Sequence, residues 1–366
     1  MPSCTMRLIL HIGMHKTAST TIQKRLKANN QLLEKFGYTF IAKNRKALLS
    51  AVEQRNFQPW RELLRDAKCQ GLTPIVSHEA FSHVLCRSRS NKKTKRIGDW
   101  LLKKLRQAGV QVTVIGFVRD QPSYLNSHYT QHVKRFATAK SLEAYAAKAM
   151  RPSIGKSSCD PEQLFGWLER HPSVHKLFFP YGRTITPPPA LADHPKDPFA
   201  QFIHCLGIPP TVQFQSISNL NAQPGDLAIR TALKLSQELK REGIRLGKAA
   251  KQARRLICHE AEQRNWMKTP YMGLNPKLNE RIRSHYAAAN NRFSIRVWGC
   301  PWDQIFTVGS VAESRIPTTA EQEAVNQAVK QIRLQLGSRP KRFRPCLLYT
   351  SPSPRDQRGS RMPSSA

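Results

Sequence analysis

The stretch Arg7-Leu8-Ile9-Leu10-His11-Ile12-Gly13, running on through Met14-His15-Lys16-Thr17-Ala18-Ser19-Thr20-Thr21-Ile22-Gln23, restricts the fold of this chain more than any other. Leu8 to Ile12 is a short, branched apolar run stopped by a glycine, which reads as a buried strand. Thr17, Ser19, Thr20 and Thr21 carry hydroxyls, and a helical spacing of apolar residues starts directly behind them. A strand entering a helix through such a turn aims several unpaired backbone N–H groups at one spot, and the helix dipole adds positive potential there. That arrangement binds phosphate. Lys16 adds a mobile charge and the hydroxyls add donors. An ordinary strand–helix turn with a Ser or Thr cap fits the same residues.

Two later strands end in polar residues. Thr73 to Ser77 runs into His78, Glu79 and Ser82, and in open parallel sheets ligands sit beyond the carboxyl ends of strands. Glu79 stands where chemistry would occur, with His78 in reserve. Strand alternation would turn only one of the two towards a pocket. A solvated carboxylate at a helix start accounts for Glu79 equally well. Val110 to Val118 is the strongest strand signal in the chain. Arg119 closes it, Pro122 suits the first turn of a helix, and Ser127 follows eight residues after Arg119. A cation and a hydroxyl so placed clamp one phosphate from two sides. The alternative is a structural Arg119–Asp120 ion pair.

The order Gly-x-x-Lys-Thr-x-Ser-Thr differs from the Walker pattern, in which the lysine follows the second glycine. It resembles the 5′-phosphosulfate loop of the sulfotransferases that use 3′-phosphoadenosine 5′-phosphosulfate (PAPS), most of all the bacterial form His-x-Gly-x-His-Lys-Thr-Gly-Ser-Thr. Arg119-x(7)-Ser127 resembles the 3′-phosphate motif of that family. Ser77-x-Glu79-x-Phe81 is similar to its Glu-containing branch. The likeness spans about residues 6–306, with specific motifs only before residue 135. It implies that His15, Lys16, Thr17, Ala18, Ser19, Thr20 and Thr21 hold the 5′-phosphate and that Arg119 and Ser127 select the 3′-phosphate. It further implies that Glu79 is the general base, that Lys16 stabilises the leaving phosphate, and that no metal is needed. The implied acceptor is a hydroxyl or amine, first of all of a glycan. One position departs from the pattern: Ala18 stands where the family has Gly, and alanine is strained at positive φ.

The expected fold is α/β, a P-loop-like parallel sheet with helices on both faces. The expected divisions are a domain over 6–310, a helical extension over 311–336, and a disordered basic Pro/Ser tail over 337–366 that does not read as domain sequence. Lys and Arg total 59 against 24 Asp and Glu, a net charge of +35, which favours polyanionic partners. No zinc-finger, RNP or basic-zipper pattern points to specific nucleic-acid binding. The eight cysteines are scattered without a C-x-x-C pair and read as free thiols. With no secretory signal and no 18-residue apolar run, the expectation is a cytoplasmic protein without a membrane span. Three rivals to the sulfotransferase remain, one of them a nucleic-acid-binding module suggested by the +35 charge. A P-loop kinase or NTPase would need a Mg²⁺ ligand, for which Asp120 is the candidate. A catalytically silent relative is suggested by Ala18.

Overall fold

The structure is a computed structural model that describes residues 6–88, 96–151, 159–182, 185–217, 225–307 and 314–336. Strands β1 (Met6–His11), β2 (Tyr38–Phe40), β3 (Thr73–Ser77), β4 (Val110–Arg119) and β5 (His175–Tyr181) form one sheet in the order β2-β3-β1-β4-β5. All its pairings are parallel, with Ile9 beside Ile75, Leu10 beside Val114, and Val118 beside Pro180. The expected α/β architecture is present.

Side-chain alternation explains why both faces are covered. Leu8, Leu10, Val76, Val112 and Val114 join one core with Trp60, Leu101, Tyr124 and Phe293. Ile9, Ile75, Ile115, Phe117 and Phe179 join a second with Ile22, Leu26, Phe199 and Phe202. Strands buried on both sides are near-continuous apolar runs, as parallel sheets require. Helix α1 (Ser19–Ala28) therefore lies on the second face. Helices α3 (Arg45–Gln54), α4 (Gln58–Cys69), α6 (Ile97–Gln107) and α7 (Gln121–Lys134) pack on the first. The short helices α2 (Asn30–Lys35) and α5 (Phe81–Leu85) fill in between.

Single residues set several of the local boundaries. The helical pattern from Ile22 to Phe36 is broken at Asn29, whose amide donates to Arg25 C=O and to Gln215 C=O and so ends α1. The basic stretch 43–70 is two helices, parted where Arg55 turns left-handed at φ 54°. The Pro-rich segment 186–195 holds one 3₁₀ turn, Pro189–Leu191. The basic opening 91–95, the Ser218–Asn221 segment and the tail 337–366 lie outside the described residues. The helix Thr319–Gln335 starts with a capping box between Thr318 and Glu321, and its Val329 and Ile332 join the first core. Among the described residues, six cysteines are free thiols and no helix is long and apolar enough to cross a membrane.

Because the strands are parallel, the loop after β1, the residues after β3 and the end of β4 open at one edge of the sheet, with β1 in the middle.

Candidate active site

The chain leaves β1 still latched to β4. Ile12 N–H donates to Ile115 C=O and Met14 N–H to Phe117 C=O, each at 3.0 Å. Gly13 sits between these bonds. A Cβ there would lie 3.1 Å from both Phe117 N and Thr17 Oγ1, so the close approach of the loop to β4 favours glycine. Beyond it, Lys16 has φ 64° and Ala18 φ 60°, whereas Thr17 between them is not at positive φ. Alternation of this kind turns successive N–H groups into one concavity that suits an anion. Thr17 is buried and its hydroxyl donates to Met14 C=O at 2.6 Å. That hydroxyl closes the turn, so Thr17 can offer an anion only its backbone N–H. Ala18 precedes α1, and no side chain caps the helix. Ser19 Oγ is buried without a hydrogen-bond partner, a donor that a bound phosphate oxygen would satisfy. Thr20 is exposed and Thr21 half-buried.

Ala18 therefore stands in the left-handed region, where glycine would sit without strain. Positive φ at two non-glycine positions of one short turn, Lys16 and Ala18, is backbone strain, a feature that gathers at ligand sites.

Arg119 ties the end of β4 to this loop. Its Nη1 donates to Lys16 C=O at 2.9 Å and its Nε to Ser123 Oγ at 2.9 Å. Ser127 lies one turn further along α7, so Ser123 and Ser127 share one i, i+4 row of that helix, behind the strand end that carries Arg119. The sequence pointed to Ser127 alone. Ser123 was missed, although its four-residue spacing from Arg119 was a readable signal.

Burial depresses the pKa of the Lys16 amine, and the nearby Lys134 and Arg119 cations depress it further. Burial likewise lowers Lys134. Among the described residues, Lys16, Lys134 and Arg135 have no ion pair within 4 Å. These cations disfavour one another, with Glu79 only partly offsetting Lys16, and a polyanion relieves that cost.

Glu79 stands across from this cluster. Strand β3 stops at Ser77, whose hydroxyl meets His11 Nδ1 at 2.7 Å and accepts from Gln23 Nε2 at 3.1 Å. Strand alternation no longer governs the next residues, so His78 and Glu79 line the same cleft, contrary to the expectation that only one would. His78 Nδ1 accepts the Ala80 N–H at 3.1 Å, which holds the ring in place. Glu79 Oε2 lies 3.3 Å from His15 Nδ1. That hydrogen bond is the main reason its pKa falls below the ordinary value, with burial opposing. His15 stacks on His83 at 4.6 Å and 16°. Burial lowers His83 to about 3 and His128 to about 3, so both rings are neutral at pH 7. The role of His15 as the partner of Glu79 was not legible, because it depends on two segments far apart in sequence.

Asp120 is buried and accepts from Arg283 Nη2 at 2.8 Å and from Trp302 Nε1 at 3.2 Å. The carboxylate a kinase reading would need for Mg²⁺ thus pins the helix Pro276–Trp298 and the turn behind it to β4. Among the described residues, no cluster of His, Cys, Asp and Glu could hold a metal ion.

The pieces brought together are a strained N–H concavity, Lys16 and Arg119 in direct contact through one carbonyl, and an ionisable carboxylate facing them. No protein-family model, no curated protein and no solved structure matches the chain.

Proposed function

We propose that the protein is a sulfotransferase that moves the sulfuryl group of PAPS to a hydroxyl or amine of an acceptor, with carbohydrate the favoured acceptor class. The observation that carries this reading is the hydrogen bond from Arg119 Nη1 to Lys16 C=O. It ties the end of β4 to the loop backbone at Lys16, which supports one adenosine bisphosphate spanning the two resembling motifs.

The donor set fits that nucleotide. The N–H groups at Lys16 to Ser19 and the unpartnered Ser19 hydroxyl would hold the 5′-phosphate. Arg119, with Ser123 and Ser127, would hold the 3′-phosphate, the group that distinguishes PAPS from ATP. In the reaction an acceptor oxygen forms a bond to sulfur as the bond from sulfur to the bridging oxygen breaks. The electron pair leaves with that oxygen on the 5′-phosphate. Lys16 and the loop N–H groups offset the charge that builds there. Glu79, ionised at neutral pH, accepts the acceptor's proton.

Calorimetric titration of 3′-phosphoadenosine 5′-phosphate (PAP) against AMP tests the reading. The wild type is expected to prefer PAP by about tenfold or more, the weight of one charge-assisted contact. Arg119→Ala is expected to erase the preference. A wild type that binds PAP no better than AMP rules the assignment out. Tight PAP binding with no sulfate transfer to any of a panel of glycans would mark a silent binder.

A further inference from the structure

Beside the phosphate loop lies a cleft of about 530 Å³ bounded by Thr20 and Gln23 of α1, Arg45 and Lys46 of α3, and His78 and Glu79. Its volume falls within the range of small-molecule sites. It adjoins the phosphate loop at Thr20 and extends away from Arg119. Arg119 and Ser123 lie at the end of β4, on one side of β1. The cleft lies on the other side, at the carboxyl ends of β3 and β2 and against the start of α1, and Glu79 with its His15 contact stands at its edge towards the loop. An acceptor in this cleft would meet the base and the sulfuryl donor at Glu79.

The lining has a distinctive charge. Glu79 is its one carboxylate, set against Arg45 and Lys46. Arg45 is fixed from the protein side: Nε donates to Ala42 C=O at 3.2 Å and Nη1 to Ser77 C=O at 3.2 Å. Its guanidinium also lies 5.6 Å from the Phe40 ring centroid. Among the described residues neither Arg45 nor Lys46 has an ion pair within 4 Å. Carbonyls orient Arg45 without neutralising it, which leaves further guanidinium N–H groups and a whole charge for a ligand. His78, whose pKa burial and these two cations lower, contributes a neutral ring. Arg45 is partly buried and Lys46 exposed, and an anion seated beside them gains charge-assisted contacts that a neutral acceptor lacks.

We infer that this cleft takes an acceptor bearing a carboxylate or sulfate close to its reacting hydroxyl, the anion held by Arg45 and Lys46 while the hydroxyl faces Glu79. An acidic sugar has this chemistry on a single ring. The inference rests on the sulfotransferase reading for the reaction, but the anion preference of the cleft is measurable without it.

The test compares 4-nitrophenyl β-glucuronide with 4-nitrophenyl β-glucoside, which lacks the carboxylate. A second arm compares unsulfated chondroitin hexasaccharide with its carboxyl-reduced form. Binding to the full chain is measured by calorimetry with and without saturating PAP. The acidic partner is expected to bind about tenfold tighter or more. Lys46→Ala should remove most of that preference and leave PAP affinity unchanged. Lys330→Ala, which deletes an exposed charge on the C-terminal helix, should leave the preference intact. Preference in both arms assigns a single acidic ring, and preference in the hexasaccharide arm alone assigns a polymer. Equal binding of acidic and neutral partners in both arms overturns the inference, as does a preference that survives both Lys46→Ala and Lys46→Glu. Failure of PAP to bind, with the preference intact, overturns the nucleotide reading and leaves the cleft assignment standing.

Discussion

Glu79 and His15 share one interaction that decides how Glu79 can act. The His15 hydrogen bond lowers the Glu79 pKa, while the carboxylate's own burial pulls the other way. A depressed carboxylate is fully ionised at neutral pH and ready to accept a proton, at the cost of some basicity. The sign of the linkage is plain. The contact adds stability above the ordinary carboxylate pKa of 4.5, and that stability is lost as pH falls through the lower folded value. In His15→Ala the burial effect stands unopposed by the hydrogen bond, so Glu79 should titrate at higher pH than in the wild type. The acid limb of any sulfate-transfer activity should move up with it. Carboxyl ¹³C NMR, with the Glu79 signal assigned through Glu79→Gln, reads this directly without an acceptor. A Glu79 titration that does not move in His15→Ala would show that the 3.3 Å contact leaves the carboxylate's energetics untouched.

At the scale of elements, the β1–loop–α1 unit carries its strain at Ala18, whose C=O accepts the first helical bond from Ile22 N–H at 3.0 Å while its own φ is 60°. A left-handed alanine costs about 1 kcal/mol, part of which glycine's greater freedom in the unfolded chain takes back. Ala18→Gly is therefore expected to stabilise the protein by roughly 0.5–1 kcal/mol, seen as a rise of about a degree or two in melting temperature for a chain of this size. PAP affinity should hold or improve. A drop in melting temperature would mean the Ala18 methyl group is held by favourable packing. The β1 and β4 units were legible in sequence because buried parallel strands are apolar on both faces, and their polar ends mark the ligand edge. Other parts were not. Strand β2 is three residues long, Tyr38–Phe40, too short for alternation to register. Arg45 follows it and reaches the site only because β2 pairs with β3 and brings the start of α3 to the Ser77 carbonyl. Ser123 was overlooked because the motif drew attention to Ser127, although both lie on the same row of α7. Side-chain pairings between distant segments, such as His15 with Glu79, leave no trace in local periodicity.

For the molecule as a whole, the +35 charge and the buried histidines pull stability the same way on acidification, and they can be told apart. His11 lies in the sheet between the Phe117 and Phe202 rings, with Nδ1 on Ser77 Oγ and Nε2 without a partner. Burial lowers its pKa from 6.5 to about 4. The unfolded chain then takes up a proton near pH 6.5 that the folded chain refuses until about pH 4, so stability is full above 6.5 and falls between those values. At about 1.4 kcal/mol per pH unit, the loss from His11 alone approaches roughly 3 kcal/mol. His83 and His128 act in the same direction. Urea unfolding of the wild type should show a steep decline from pH 6.5 to 5, above the range of ordinary carboxylates. His11→Asn keeps a polar contact to Ser77 without a titrating ring, and should flatten that decline by about 1 kcal/mol per pH unit whatever its stability at pH 7. Surface repulsion is screened at 0.5 M salt, whereas a desolvated imidazole is not. The His11-dependent part of the slope should therefore persist in salt, and a slope difference that vanishes on adding salt would assign the acid sensitivity to net charge instead.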